Sequence, residues 1–139
     1  MTNKEIAIGF FKAIDDNDFS TAKKLLGSNH QLHSSMSPVP MDAEQHVSLA
    51  KGFNDAFSNP QHEMAEVLEI ANKVVMRGTW HGTHTGSFNG IPPSGKTVHL
   101  AFIMILEVEN NEIKNQWVEL DSMSLMMQIG AMASPAMSS

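Results

Sequence analysis

In NKEIAIGFFKAIDDNDF, Ile6, Phe10 and Ile14 fall at i, i+4 and i+8, and Ala7 and Phe11 widen the stripe. That period predicts an amphipathic helix, ended by the acidic run that follows it. FSTAKKLLG repeats the pattern over a shorter span, with Phe19, Ala22, Leu25 and Leu26 on one face and Gly27 where a C-terminal cap is expected. The two helices are expected to pair antiparallel. NHQLHSS alternates as one strand, and SPVPMD is a proline-bearing loop. A third helix opens at Asp42: Asp42 and Gln45 have capping-box spacing, Val47, Ala50, Phe53, Ala56 and Phe57 form the stripe, and Pro60 lies beyond the predicted end.

From HEMAEVLEI onward the period becomes two. That stretch, NKVVMRGTWHGTHTG, KTVHLAFIMILEVE and EIKNQWVELDS each read as a strand. The joins at Ala71-Asn72 and at ENNE are short enough for antiparallel hairpins. SMSLMMQIGAM predicts about two turns of helix, and a single domain is expected over residues 1–132 with 133–139 as a frayed tail. Helices followed by an antiparallel meander predict an α+β domain. KTVHLAFIMILEV is apolar on both faces, Leu100, Phe102, Met104 and Leu106 alternating with Ala101, Ile103 and Ile105, so both faces need cover. The economical geometry is a strongly curved sheet, closed by helices on its concave side and by a second subunit on its convex side. A homodimer through Ile103, Ile105, Val118 and Leu120 is therefore expected.

Composition narrows the function classes. The 139 residues suit one core, and a net charge of −6 argues against a nucleic-acid partner. Cysteine is absent, which removes disulfides, thiolate nucleophiles and thiolate zinc sites. No apolar signal core opens the chain and no apolar run approaches about eighteen residues, so no membrane partner and a cytoplasmic location are expected.

Strand alternation places Met76, Gly78, Trp80, Gly82 and His84 on one face, and Ile113, Asn115, Trp117, Glu119 and Asp121 on one face of the last strand. With both faces turned to the concave side, Trp80, Phe102, Met104 and Trp117 would wall a pocket holding His84 and Asp121, with His33 at its edge. Mostly apolar walls with few polar groups describe a small-molecule site. Asp121 has two readings. Desolvation would disfavour its anion and suit proton exchange near neutrality, whereas the same residue is a good N-cap for the helix that follows. His33, His81 and His84 read more readily as hydrogen-bonded, half-buried strand histidines than as catalysts. His81 and His84 fall on opposite faces and no metal-ligand spacing is present, so no metal is expected.

RGTWHGTHTGSFNGIPPSGKTV, LEVENNEIKNQWVELD and LMMQIGA, with HSSMSPVP and NDAFSNPQHEM in the same order, resemble the SnoaL-like polyketide cyclase (ester cyclase) family nearly end to end. The resemblance implies the cone-shaped α+β barrel of the nuclear transport factor 2-like superfamily. It also implies intramolecular aldol cyclisation, without cofactor or metal, of a small hydrophobic polyketide-like substrate. By resemblance the acid/base role falls on Asp121, four residues after Trp117, while His33 and His84 hydrogen-bond substrate oxygens. Trp80, Phe102, Met104, Asn115 and Trp117 complete the expected site. Met104 and Asn115 stand where relatives often carry polar or acidic groups, and this departure keeps two alternatives open. One is a non-catalytic binder of a small hydrophobic ligand, the other an isomerase-type enzyme using the same pocket.

Overall fold

Three helices, α1 (Asn3–Asp15), α2 (Phe19–Leu25) and α3 (Ala43–Ala56), lie against the sheet in a computed structural model that describes residues 1–132. The sheet comprises β1 (Leu26–Ser34), β2 (Phe57–Ile70), β3 (Lys73–His84), β4 (Thr97–Glu109) and β5 (Glu112–Leu120) in the order β1-β5-β4-β3-β2, and α4 (Ser122–Gln128) follows. The expected tail, 133–139, lies outside the described residues. No described helix is long and apolar enough to cross a membrane.

Reciprocal caps start the two longer helices. Thr2 Oγ1 accepts from the Glu5 amide at 3.1 Å while the Thr2 amide donates to Glu5 at 3.0 Å. Asp42 and Gln45 repeat the arrangement at 2.8 and 2.9 Å. Each box satisfies amides that a helix start leaves without partners. α1 buries Ile6, Ala7, Phe10, Phe11, Ala13 and Ile14, the stripe its spacing predicts. These pack on Val74, Met76 and Trp80 of β3 and on Leu100, Phe102, Met104 and Leu106 of β4. Each large side chain buried there contributes about 1.5–3 kcal/mol.

Several expectations are corrected. Leu26 is already extended (φ −89°, ψ 134°), so Gly27 is a strand residue and not a helix cap. α3 ends at Ala56 and β2 begins at once, which puts Pro60 inside a strand. It is accommodated because β2 is an edge strand whose register breaks between Ser58 and Gln61, where Asn59 takes φ 52°. The sheet is mixed, since β1 runs parallel to β5 while the other pairs are antiparallel. α3 lies between β1 and the meander, and a connection of that length permits parallel pairing. The hairpin joins fall as expected, with Asn110 and Asn111 at φ 51° and 61°, the primed turn that asparagine favours.

The one-residue register shift between Ser58 and Gln61 turns Pro60, His62 and Met64 toward the core, and two further single-residue bulges also decide which side chains reach it. Met64 pairs with Gly78 but Glu66 with Arg77, leaving Ala65 as an extra residue in β2. Val108 pairs with Ile113 but Glu107 with Asn115, leaving Lys114 as an extra residue in β5. A bulge inverts the alternation beyond it. Val67 therefore packs on the core while Leu68 and Ile70 face out. In β5, Gln116, Val118 and Leu120 turn inward and Asn115, Trp117 and Glu119 outward. Gly78 is required beside the Ala65 bulge, where any Cβ would collide with the Glu63 carbonyl.

Candidate functional site

α1, α3 and the concave sheet face line a partly open cavity of about 110 Å³. Phe10, Phe11 and Ile14 wall it from α1, Leu49, Ala50 and Phe53 from α3, and Trp80, Phe102, Met104, Val118 and Leu120 from the sheet. Met36, Leu49 and Phe53 also line an open crevice beside the 36–41 loop and Phe88, so they stand between the cavity and the outside. The polar residues on the wall are His46, Asn54, His62 and Gln116. No carboxylate among the described residues lines it, because the inverted β5 presents Gln116, Val118 and Leu120 there.

His62 is held by Asp15, the last residue of α1. Its Nδ1 lies 2.7 Å from Asp15 Oδ1, and its backbone N–H donates to Asp15 Oδ2 at 2.7 Å. Both side chains are largely buried, at 15% and 16% exposure. Phe11 at 4.8 Å and Phe102 at 5.7 Å, centroid to centroid, flank the ring. With Nδ1 committed, Nε2 is the remaining ring nitrogen, and no described residue hydrogen-bonds it.

A second histidine pair backs the opposite polar group. His30 Nδ1 donates to the Ile113 carbonyl at 2.9 Å, where the β1–β5 register breaks across the Lys114 bulge. That bond fixes the tautomer, so His30 Nε2 is an acceptor and His46 Nδ1 donates to it at 2.9 Å. His46 therefore keeps a lone pair on Nε2. Burial pushes the pKa of His46 down to about 3, and the neighbouring His30 adds to the effect. Burial also lowers His30, against the raising influence of its bond to Ile113. Both rings are neutral near neutrality.

Gln116 donates through Nε2 to Met104 Sδ at 3.3 Å, and its Oε1 is buried without a partner. The Asn54 amide is spent on the Ile14 carbonyl at 2.7 Å and on Asn17 Oδ1 at 3.0 Å.

The residues singled out in the sequence divide into separate places. Trp80, Phe102 and Met104 line the cavity. Trp117, His33 and Asn115 come together on the outer sheet face, contrary to the alternation argument. Trp117 is 38% exposed and stacks on His33 at 5.2 Å, and His33 Nε2 lies 3.0 Å from Asn115 Oδ1. Asn115 in turn donates to Glu107 at 2.9 Å, which holds that carboxyl below its ordinary value. Asp121 is exposed and N-caps α4, accepting from the Ser124 amide at 3.0 Å. His84 is fully buried but outside the cavity lining; its Nδ1 accepts from the Ser94 amide at 3.1 Å and so anchors the double-proline loop. Its Nε2 has no partner among the described residues.

His30, His46, His62, Asp15 and Gln116 were not singled out by sequence. His46 left one signal, a polar residue at i, i+4 and i+7 with Ala50 and Phe53 of the buried stripe. Among the described residues no cluster of three or more histidines and carboxylates could hold a metal ion.

The profile of the SnoaL-like polyketide cyclase family matches residues 5–129. The chain belongs to that family. No curated protein matches it. AclR of Streptomyces galilaeus, a candidate hydroxylase, superposes with TM-score 0.85 at 21% identity, over 95% of this chain and 83% of AclR. IdmH of Streptomyces antibioticus, a candidate polyketide cyclase, gives 0.83 at 20%, over 94% and 99%. A SnoaL-like protein of Jannaschia sp. CCS1 gives 0.83 at 17%, over 94% and 92%. At such identities the likeness is one of fold, the curved α+β cone that this SnoaL-like chain shares with them.

Proposed function

We propose that the protein is an acid/base enzyme that moves a proton next to a carbonyl in a small, hydrophobic, polyketide-like compound, with His62 as the base and Asp15 as its positioning residue. The observation that carries this reading is the Asp15–His62 pair, 2.7 Å apart and set in an aromatic wall of the cavity. Histidine is the side chain that exchanges protons near neutral pH, and a carboxylate on Nδ1 orients the ring and stabilises its cation. His62 Nε2 would take the proton from the carbon beside the carbonyl. The resulting enolate attacks a second carbonyl of the same molecule, and the new alkoxide takes the proton back. Carbon–carbon bond formation then needs shape, exclusion of water and one proton shuttle.

Asp121 and His33 leave this scheme as acid/base groups, because one caps α4 and the other sits on the outer face. The cavity volume of about 110 Å³ favours a compact molecule; sites for drug-sized ligands run to roughly 300–1,000 Å³.

The test uses para-hydroxyphenylacetone in deuterated water, following exchange of the hydrogens beside the carbonyl by proton NMR. The protein should accelerate exchange over buffer, and His62→Gln should reduce the acceleration by roughly 10²–10⁴-fold. No acceleration by the unaltered protein, or equal acceleration by His62→Gln, overturns the reading. Binding without exchange favours the non-catalytic alternative.

A further inference from the structure

The polar groups that the cavity leaves unsatisfied are mainly acceptors. His46 Nε2 keeps its lone pair, because the chain of donors from His30 Nδ1 to the Ile113 carbonyl and from His46 Nδ1 to His30 Nε2 fixes both rings. Gln116 Oε1 is buried and unpartnered. Its orientation follows from Met104: thioether sulfur is a weak acceptor, so the amide nitrogen faces it at 3.3 Å and the oxygen faces away. Asn54 has already spent its donor. Trp80, whose indole can only donate, also lines the cavity.

From this arrangement we infer that the cavity selects a small ring compound bearing a hydroxyl, phenolic or enolic, whose O–H donates to His46 Nε2. An acceptor withdrawn from bulk water with no donor beside it is costly, since it forfeits its hydration. A hydroxyl returns one of those bonds, and an apolar ring of the same size does not. The volume limits the ligand to about one ring: an engineered apolar cavity of about 150 Å³ takes benzene, and this one, which opens toward the crevice at Met36, Leu49 and Phe53, measures about 110 Å³. Phe10, at 5.3 Å from the His46 ring, and the aromatic Phe53–Trp80 corner supply the apolar contacts. His46 is thereby a specificity residue and His62 the reactive one. Both stand against the adjacent Phe10–Phe11 pair, His46 on Phe10 and His62 on Phe11. The inference deepens the reading of the cavity as a substrate site and names the substrate class.

Phenol and toluene are nearly isosteric, and they separate the two outcomes. An apolar cavity without a usable acceptor prefers toluene, because phenol must abandon its bonds to water. Titration of the protein, followed by NMR, should instead show phenol binding at least about tenfold more tightly than toluene. The His46 Nε2 nitrogen resonance should shift with phenol and stay in place with toluene. His46→Leu should reverse the preference. Toluene binding as tightly as phenol in the unaltered protein, or phenol binding with an unmoved His46 resonance, overturns the inference, whatever the variant does. These readouts are independent of hydrogen exchange: a phenol preference with no exchange removes the acid/base reading alone, and exchange without the preference removes this inference alone.

Discussion

Asp15 holds His62 at two points, its Oδ1 2.7 Å from the ring Nδ1 and its Oδ2 2.7 Å from the backbone N–H. A carboxylate placed in this way ties the end of α1 to β2 and fixes the ring orientation together. Asp15→Asn keeps the size but replaces one acceptor oxygen with an N–H donor. The expected result is a fall in the exchange rate of roughly 10–10³-fold, with binding of the same ketone little changed. A merely structural role would move affinity and rate together, so the split between KM and kcat is the measurement that decides it.

Asp121 should behave as a cap. Asparagine caps about as well as aspartate, so Asp121→Asn should leave both stability and exchange intact, while Asp121→Ala should cost about 1 kcal/mol in urea unfolding. Loss of exchange in Asp121→Asn with the fold preserved would return the acid/base role to this residue.

The buried histidine pair sets a pH limit. Burial depresses the pKa of His46 from its ordinary 6.5 to about 3, and lowers that of His30. Between those values the unfolded chain binds protons that the folded one refuses. The His46 contribution is thus fully present above about pH 6.5 and is lost as pH falls towards 3, by up to about 1.4 kcal/mol per pH unit, and His30 acts in the same direction. Unfolding midpoints measured from pH 7 to 4 should drop steadily, and His46→Leu should flatten the curve. Midpoints independent of pH in the unaltered protein would contradict the buried neutral pair.

The outer sheet face supports a proposed homodimer, with altered membership. Val118 and Leu120 line the cavity and leave the expected interface, whereas Ile103 at 58% exposure and Trp117 at 38% remain on the outer face with the partly exposed Ile105. Light scattering should give twice the chain mass of 15.2 kDa, and Ile103→Lys should return the monomer mass without unfolding the chain, because no core contact is lost. A monomer mass for the unaltered protein removes the dimer.

What the sequence determined by itself is local. Helix periods, the Thr2 and Asp42 caps, the Asn110–Asn111 turn and the two-sided apolar β4 all depend on residues near one another in the chain, and the α+β class follows from their order. Tertiary structure decided the site. Strand parity is legible only while pairing is regular, and the extra residue at Lys114 is visible only against its partners in β4 and β1. One residue of slip sent Trp117 out and Gln116 and Val118 in. Asp15, His30, His46 and His62 come from α1, β1, α3 and β2, and nothing in their spacing announces that they meet. Their pairing exists because the helices must bury their stripes on the concave sheet, and that packing alone brings the polar groups at the stripe edges into contact.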